Sequence, residues 1–278
     1  TGFRAPTPGQ SNYTGVVTSF DGPTGMQVQE GTLRPTDSLA VSMGGAALVP
    51  EEATNTSFGF TSSLISNLNL TFDMYTIDIV NKIIKSRSLA VEDPNFSKLA
   101  FYTNALNTKT NGFDLVAVYR MGNTNLSLAM NHNEIEVVKH RQVRVVETDS
   151  TYSVDPISSG LIDNIENNLP KDRITATVTH NFGDALSLLV RLNNYSETLD
   201  ERGTLGDDKA TVDAISFIDV ELSYAVSNNL NVVFGANNVT NVYPNEIPTR
   251  TSQGMPYPRR SPLGYHGGMT YIRLMYDF

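Results

Sequence analysis

Polar and apolar residues alternate along most of this chain, in long runs. From Arg173 to Phe182, the apolar parity holds Ile174, Ala176, Val178 and Phe182, with His180 as its one polar member. The other parity holds Arg173, Thr175, Thr177, Thr179 and Asn181. Leu186, Leu188, Val190 and Leu192 then alternate with Ser187, Arg191 and Asn193, and Leu189 is the apolar residue on the polar side. Ile218, Val220, Leu222 and Tyr224 alternate with Asp219, Glu221 and Ser223. The last run sets Thr270, Ile272, Leu274, Tyr276 and Phe278 against Tyr271, Arg273 and Asp277, with Met275 breaking the polar side. A period of two is the spacing of a strand with one apolar and one wet face. These runs reach roughly 10 residues or more, where globular strands average about 5–6. About 9–11 residues is what a tilted strand needs to cross a bilayer.

The pattern predicts about nine such strands, at 51–62, 69–80, 104–121, 124–138, 171–182, 185–197, 212–225, 230–240 and 266–278. Their links alternate in length. Short ones fall at Ser63–Leu68, Gly122–Asn123, Gly183–Asp184 and Val226–Asn229, and long ones at about 81–103, 139–170, 198–211 and 241–265. Short periplasmic turns and long extracellular loops are the two rims of an outer-membrane barrel, and a soluble sandwich has no reason to alternate them strictly. The predicted fold is therefore all-β, an antiparallel transmembrane barrel, here a partial barrel of about nine or ten long meander strands. Phe278 then lies at the periplasmic rim. Residues 1–50, rich in Gly, Pro and Thr with a weak strand at Met26–Leu33, read as a long external loop with a small hairpin. An odd strand count leaves edge amides without partners in lipid. The pattern thus requires either a further strand within residues 1–50 or a piece of a larger barrel, and the second is the expectation here.

Composition narrows the picture further. No run approaches the roughly 20 consecutive apolar residues of a membrane helix, although 40% of residues are hydrophobic. Cysteine is absent, which removes disulfides and thiolate metal sites. A net charge of -9 argues against nucleic acid as a partner. Residue 1 opens in a loop-like stretch without the charged and apolar regions of a signal peptide, so the expectation is that it is not the true N-terminus.

Several local patterns converge on one family. Gly2-Phe3-Arg4-Ala5-Pro6 resembles the G-F-R-A-P segment that follows a mid-barrel strand in TonB-dependent receptors. Pro50-Glu51-Glu52-Ala53-Thr54-Asn55, leading to Phe58-Gly59-Phe60, is similar to P-E-x-[ST]-x-N-x-x-x-G, with Ala53 in place of Ser or Thr. The stretch Leu70-Thr71-Phe72-Asp73-Met74-Tyr75-Thr76-Ile77-Asp78-Ile79 resembles L-T-x-D-x-Y-x-I-D-I. Asn111-Gly112-Phe113-Asp114-Leu115 resembles R-G-[VF]-[ED]-L, with Asn111 replacing the Arg, and Gly235-Ala236-Asn237-Asn238-Val239-Thr240-Asn241 resembles G-x-N-N-[LV]-[FT]-[ND]. The resemblance implies a plugged barrel of about 22 strands in the bacterial outer membrane, with this chain at its C-terminal end. It places the plug, the N-terminal strands and the TonB-contacting box outside residues 1–278. It also implies as partners the TonB complex through that missing region, membrane lipid and lipopolysaccharide, and a small-molecule or glycan ligand. The terminal strand bearing Ile272, Leu274, Tyr276 and Phe278 resembles the signal read by the barrel-assembly machinery.

Enzymatic signatures are absent. His132, His140, His180 and His266 match no metal-ligand spacing, and no phosphate loop, nucleophile elbow or zinc-protease motif occurs. No catalytic residue, metal or cofactor is expected. Asp219 and Glu221, two apart on one strand, read as wall charges facing a hydrated lumen. The best ligand candidates are Arg250, Tyr257, Arg259 and Arg260, in a loop with Pro248, Pro256, Pro258 and Pro262. Arginine forks onto carboxylates and tyrosine stacks on apolar or sugar faces. The plainer reading, which is preferred, is that these arginines salt-bridge to acidic loops or to lipopolysaccharide phosphates. Lys139, His140, Arg141 and Arg144 form a second basic cluster with the same two readings. Tyr271, Tyr276 and Phe278 are expected at the membrane interfaces. The function expected is active uptake of a scarce nutrient (siderophore-iron, cobalamin, haem or oligosaccharide). The alternatives are a passive porin and a cell-surface β-sandwich adhesin.

Overall fold

The computed structural model describes residues 1–20, 25–140, 143–146, 151–201, 209–248 and 256–278. Its main body is a 10-stranded antiparallel sheet in which each strand pairs with its neighbour in sequence. The strands are β1 (Gly2–Arg4), β2 (Glu51–Ser62), β3 (Leu68–Lys85), β4 (Tyr102–Met121), β5 (Thr124–His140), β6 (Asp172–Phe182), β7 (Leu186–Tyr195), β8 (Ile215–Ala225), β9 (Leu230–Asn237) and β10 (Met269–Tyr276). Nine coincide with the nine alternating runs. The tenth is β1, which pairs Gly2 to Ala53 and Arg4 to Glu51. Three residues are too few for alternation to show in sequence. The sheet does not close on itself, since β1 and β10 stand at its two ends.

The register aligns the parities of successive strands, so the sheet has one apolar and one polar face. One apolar row runs through Tyr119, Leu126, Val178, Val190, Val220 and Ala236. On the opposite face, the neighbouring row runs through Val118, Ser127, Thr177, Arg191 and Asp219. The apolar face is exposed, with Phe234 at 52%, Ile272 at 66% and Leu274 at 70%. Exposed apolar surface this continuous is a lipid contact. Short turns bound it below, where Tyr119, Phe182, Tyr224 and Tyr276 stand near the strand ends, all exposed. Polar cross-strand pairs bound it above: Thr76 with Asn111 at 2.9 Å, His132 with Asp172 at 2.7 Å, Lys171 with Glu134 at 2.6 Å and Asn194 with Ser216 at 2.7 Å. His180, the polar exception on β6, bonds Thr124 at 2.8 Å and packs edge-on against Phe182.

Strands β3 and β4 outrun their predicted ends. The register shifts between Ile79 and Lys82, where Asn81 takes a φ of 58°. Such a bulge reverses the parity of the residues beyond it, so the alternation stops near Val80 while the strand continues to Lys85. A matching shift at Asn107/Thr108 joins the upper parts of β4 and β5.

The buried hydrophobic clusters lie above this level, in the long loops. Gly15–Phe20 and Gln27–Thr32 form the small hairpin expected in the first loop. The second of these strands pairs in parallel with Lys98–Ala100, and Leu89–Ala90 completes a four-stranded sheet. With a short helix at Ser38–Ser42, these elements enclose Leu33, Ala40, Met43, Leu89, Leu99 and Phe101. A helix at Ser159–Asn167, N-capped by Ser158, brings Leu161, Ile162 and Ile165 against Ala105, Leu106 and Ile157. That helix carries apolar positions at three-to-four-residue spacing, inside the long link at 139–170, where the alternation predicts only loop. A two-stranded ribbon, Thr198–Glu201 with Lys209–Val212, rises between β7 and β8.

The two faces are expected to respond differently to charge. Val190→Arg, in the middle of its strand and so near the bilayer midplane, costs about 2–4 kcal/mol in a full receptor, whereas Ser187→Arg, on the polar face, costs much less. Denaturant titration of barrels folded into lipid vesicles measures both. Equal destabilisation would overturn the assignment.

Candidate functional site

The loop before β10 and its neighbours form the densest meeting of candidate residues. Tyr257 lies in a run of aromatic rings, 6.2 Å from Tyr243 at 18° and 6.3 Å from Tyr265 at 5° between ring planes. Tyr265 in turn meets His266 at 4.8 Å. The run joins the outgoing and returning limbs of the loop. Arg259 reaches the ribbon, its side chain and backbone N–H each 3.4 Å from the buried carboxylate of Asp200. Its side chain is still 47% exposed. Arg260 donates to Asn164 Oδ1 on the helix. Asn164 itself donates to Gly160 O at 2.8 Å and to Glu201 O at 3.1 Å, so it links helix, ribbon and final loop. Lys209 and Asp163 add a second helix-to-ribbon tie at 2.6 Å. The Asp163 hydrogen bond holds the Lys209 ammonium protonated above the usual lysine range. The structure thus brings Tyr257, Arg259 and Arg260 together. Arg250 lies outside the described residues.

Arg259 and Arg260 take up the ties to neighbouring loops that their sequence leaves open. Their partners, Asp200 and Asn164, carry no motif and are found only through loop packing. Sequence reasoning also misses Tyr243 and Tyr265, though the spacing of tyrosines around the proline-rich stretch is visible.

Of the second basic cluster, Lys139 and His140 are described, and they lie together. Lys139 and His140 line a cavity of about 470 Å³ with Asn81, Asn104 and Asn107, and His140 faces Asp155 at 3.1 Å. Arg141 lies outside the described residues, as does the side chain of Arg144. Among the described residues no three His, Cys, Asp or Glu side chains converge on a metal position.

The family-like motifs turn out to build the wall. Arg4 forks onto Glu51 at 2.6 and 2.7 Å, and the same carboxylate accepts the Ile83 N–H at 2.7 Å. Two of the matched segments thereby lock β1, β2 and β3 together. On the polar face Gly112 lies beneath Tyr75, and Gly235 beneath Tyr271; a Cβ at either glycine would overlap the tyrosine ring. Tyr271 therefore lies on the inner face, where it donates to Glu221, and is not the membrane-interface anchor expected of it. Its parity on β10 decides this. Asp219 and Glu221 hold wall contacts, Asp219 accepting from Asn193 at 2.9 Å and Glu221 facing Arg273 at 3.9 Å. Ile272, Leu274 and Tyr276 stand exposed on the lipid face, and Phe278 packs edge-on against Tyr276 at 5.1 Å.

Comparison with known proteins places this architecture. No curated protein sequence matches the chain. Among solved structures, the ferric enterobactin receptor PfeA (G324V mutant) of Pseudomonas aeruginosa aligns with a TM-score of 0.63 at 15% identity, over 99% of this chain and 37% of that one. The siderophore receptor PirA of Acinetobacter baumannii aligns at 0.61 and 13% identity, over 99% and 38%. The FrpB iron transporter of Neisseria meningitidis (F3-3 variant) aligns at 0.58 and 16%, over 83% and 31%. The chain thus spans less than two-fifths of the length of these structures, and at such identities they share its fold. The family model described as TonB dependent receptor-like, beta-barrel matches residues 1–239. The chain belongs to that family and is an outer-membrane β-barrel protein.

Proposed function

We propose that this chain supplies part of the wall and the ligand-capturing rim of a receptor for TonB-energised uptake of a scarce nutrient. The observation that carries this reading is the stacked Tyr243, Tyr257 and Tyr265 with Arg259 and Arg260, held at the outer rim of a barrel of this family. Stacked rings offer flat faces to an aromatic or sugar-like ligand, and arginine adds directional contacts to carboxylate or catecholate oxygens. Iron–siderophore, cobalamin, haem and oligosaccharide ligands each offer at least one of these surfaces. A ferric siderophore is the first to test, because the aligned structures carry siderophore and iron-transport names. The plug and the TonB-contacting segment lie elsewhere in the polypeptide on this reading. Catalysis forms no part of it.

Uptake of radiolabelled ferric siderophores, haem and cobalamin by cells carrying or lacking the full receptor tests the proposal. Receptor-dependent uptake that disappears without TonB is the expected result. Entry that persists without TonB would make the protein a passive porin.

The rim and the terminal strand are expected to fail separately. Replacing Arg259 and Arg260 together by Ala leaves receptor abundance unchanged and weakens ligand binding about tenfold or more, the size of at least one charge-assisted hydrogen bond. Deleting Phe278 lowers the amount of assembled barrel, through loss of the signal offered to the assembly machinery, and leaves uptake per receptor intact. Immunoblots of outer membranes paired with receptor-normalised uptake measure both. An effect of the arginines on abundance alone would reduce them to loop ties.

A further inference from the structure

The segment where β9 becomes the last loop is built more closely than a connection requires. Asn238 is 2% exposed and takes a φ of 50°. Its N–H donates to Asp219 Oδ1 at 2.9 Å on β8, and the other oxygen of that carboxylate accepts Asn193 Nδ2 from β7. The Asn238 side chain then folds over its own chain. Its Oδ1 accepts the Val242 N–H at 3.0 Å and the Thr240 hydroxyl at 3.3 Å, while Nδ2 donates to Val242 O at 2.8 Å. Asn241, also left-handed at 52°, donates its N–H to Asn238 O at 2.9 Å and accepts the Gly268 N–H at 2.9 Å. The outgoing and returning limbs are thereby clasped above the wall. Tyr243, the first ring of the aromatic run, sits directly over Gly267, where an added Cβ would meet its hydroxyl.

We propose that Asn238 is a positioning residue for the rim: its clasp folds the outgoing limb onto the wall, sets Asn241 to hold the returning limb at Gly268, and so sets where Tyr243, Tyr257 and Tyr265 stand. Asparagine suits the task because it offers an acceptor and a donor on a short side chain and tolerates positive φ. Aspartate lacks the donor and would place a second carboxylate beside Asp219. Glycine keeps the backbone conformation and loses the clasp. A loop fixed at both ends loses less entropy when a ligand docks. The importance of the rim rests on the uptake reading; the clasp itself is testable without any ligand.

The test uses the full receptor in lipid nanodiscs with paired spin labels. One pair, Asn228→Cys with Gly264→Cys, spans from a periplasmic turn to the returning limb. The other, Asn123→Cys with Asn228→Cys, joins two periplasmic turns and reports on the wall. Asn238→Gly and Asn238→Ala are each expected to widen the first distance distribution roughly twofold or more, as for a loop released from its contacts, and to leave the second unchanged. An unchanged first distribution overturns the proposal. So does widening of both pairs, which would make Asn238 a general support of the barrel. A narrow distribution in the Gly variant with a wide one in the Ala variant overturns it as well, because the conformation alone would then suffice. Failure of every siderophore to bind the parent receptor would defeat the uptake reading while leaving this measurement intact.

Discussion

Hydrocarbon offers no hydrogen-bond partner to a peptide group, so every strand in a bilayer must be paired on both sides within the membrane. The rest of this molecule depends on that constraint. Strands long enough to cross must run in register with both neighbours, and register transmits parity from one strand to the next. The row from Tyr119 to Ala236 is apolar across six strands because each strand keeps the parity of the one before it. A slip of β7 by one residue would carry Arg191 to lipid and Val190 to water.

The same constraint explains where the buried hydrophobic clusters lie. A sheet whose apolar face meets lipid has no need to pack that face against itself. Compact burial instead appears in the loops, around Phe101 and around Leu106 and Ile157. The loops around these residues stand in water, where burying apolar area stabilises in the ordinary way. The loops therefore pack on one another and on the strand ends that carry them. Asn164 and Asp200 join the helix, the ribbon and the final loop through polar contacts.

The wall is legible in the sequence because its signal is periodic. Nine strands, their short turns and the lipid face can be read from alternation, and the turn-length pattern supplies the orientation. Alternation fails where its physical basis does: β1 is too short, and the bulge at Asn81 reverses parity while pairing continues. The site is legible in part. Tyr257, Arg259 and Arg260 are identifiable by residue type and by the prolines around them. Their partners depend on how separate loops meet in space, which no local spacing encodes. The matched motifs are visible as strings, and their meaning is architectural: Arg4 forks onto Glu51, Tyr75 covers Gly112 and Tyr271 covers Gly235.

The bulge at Asn81 and its counterpart at Asn107 separate two building rules within single strands. Below them, side chains answer to lipid on one face and water on the other. Above them, Ile83, Ala105 and Leu106 answer to the packed interior of the loops. The extended ends of β3, β4 and β5 form a stiff parapet on which an extracellular structure can be exchanged while the membrane register beneath keeps its place. A barrel built this way can change what it recognises by altering the sequence above the bulges, leaving its lipid contacts untouched.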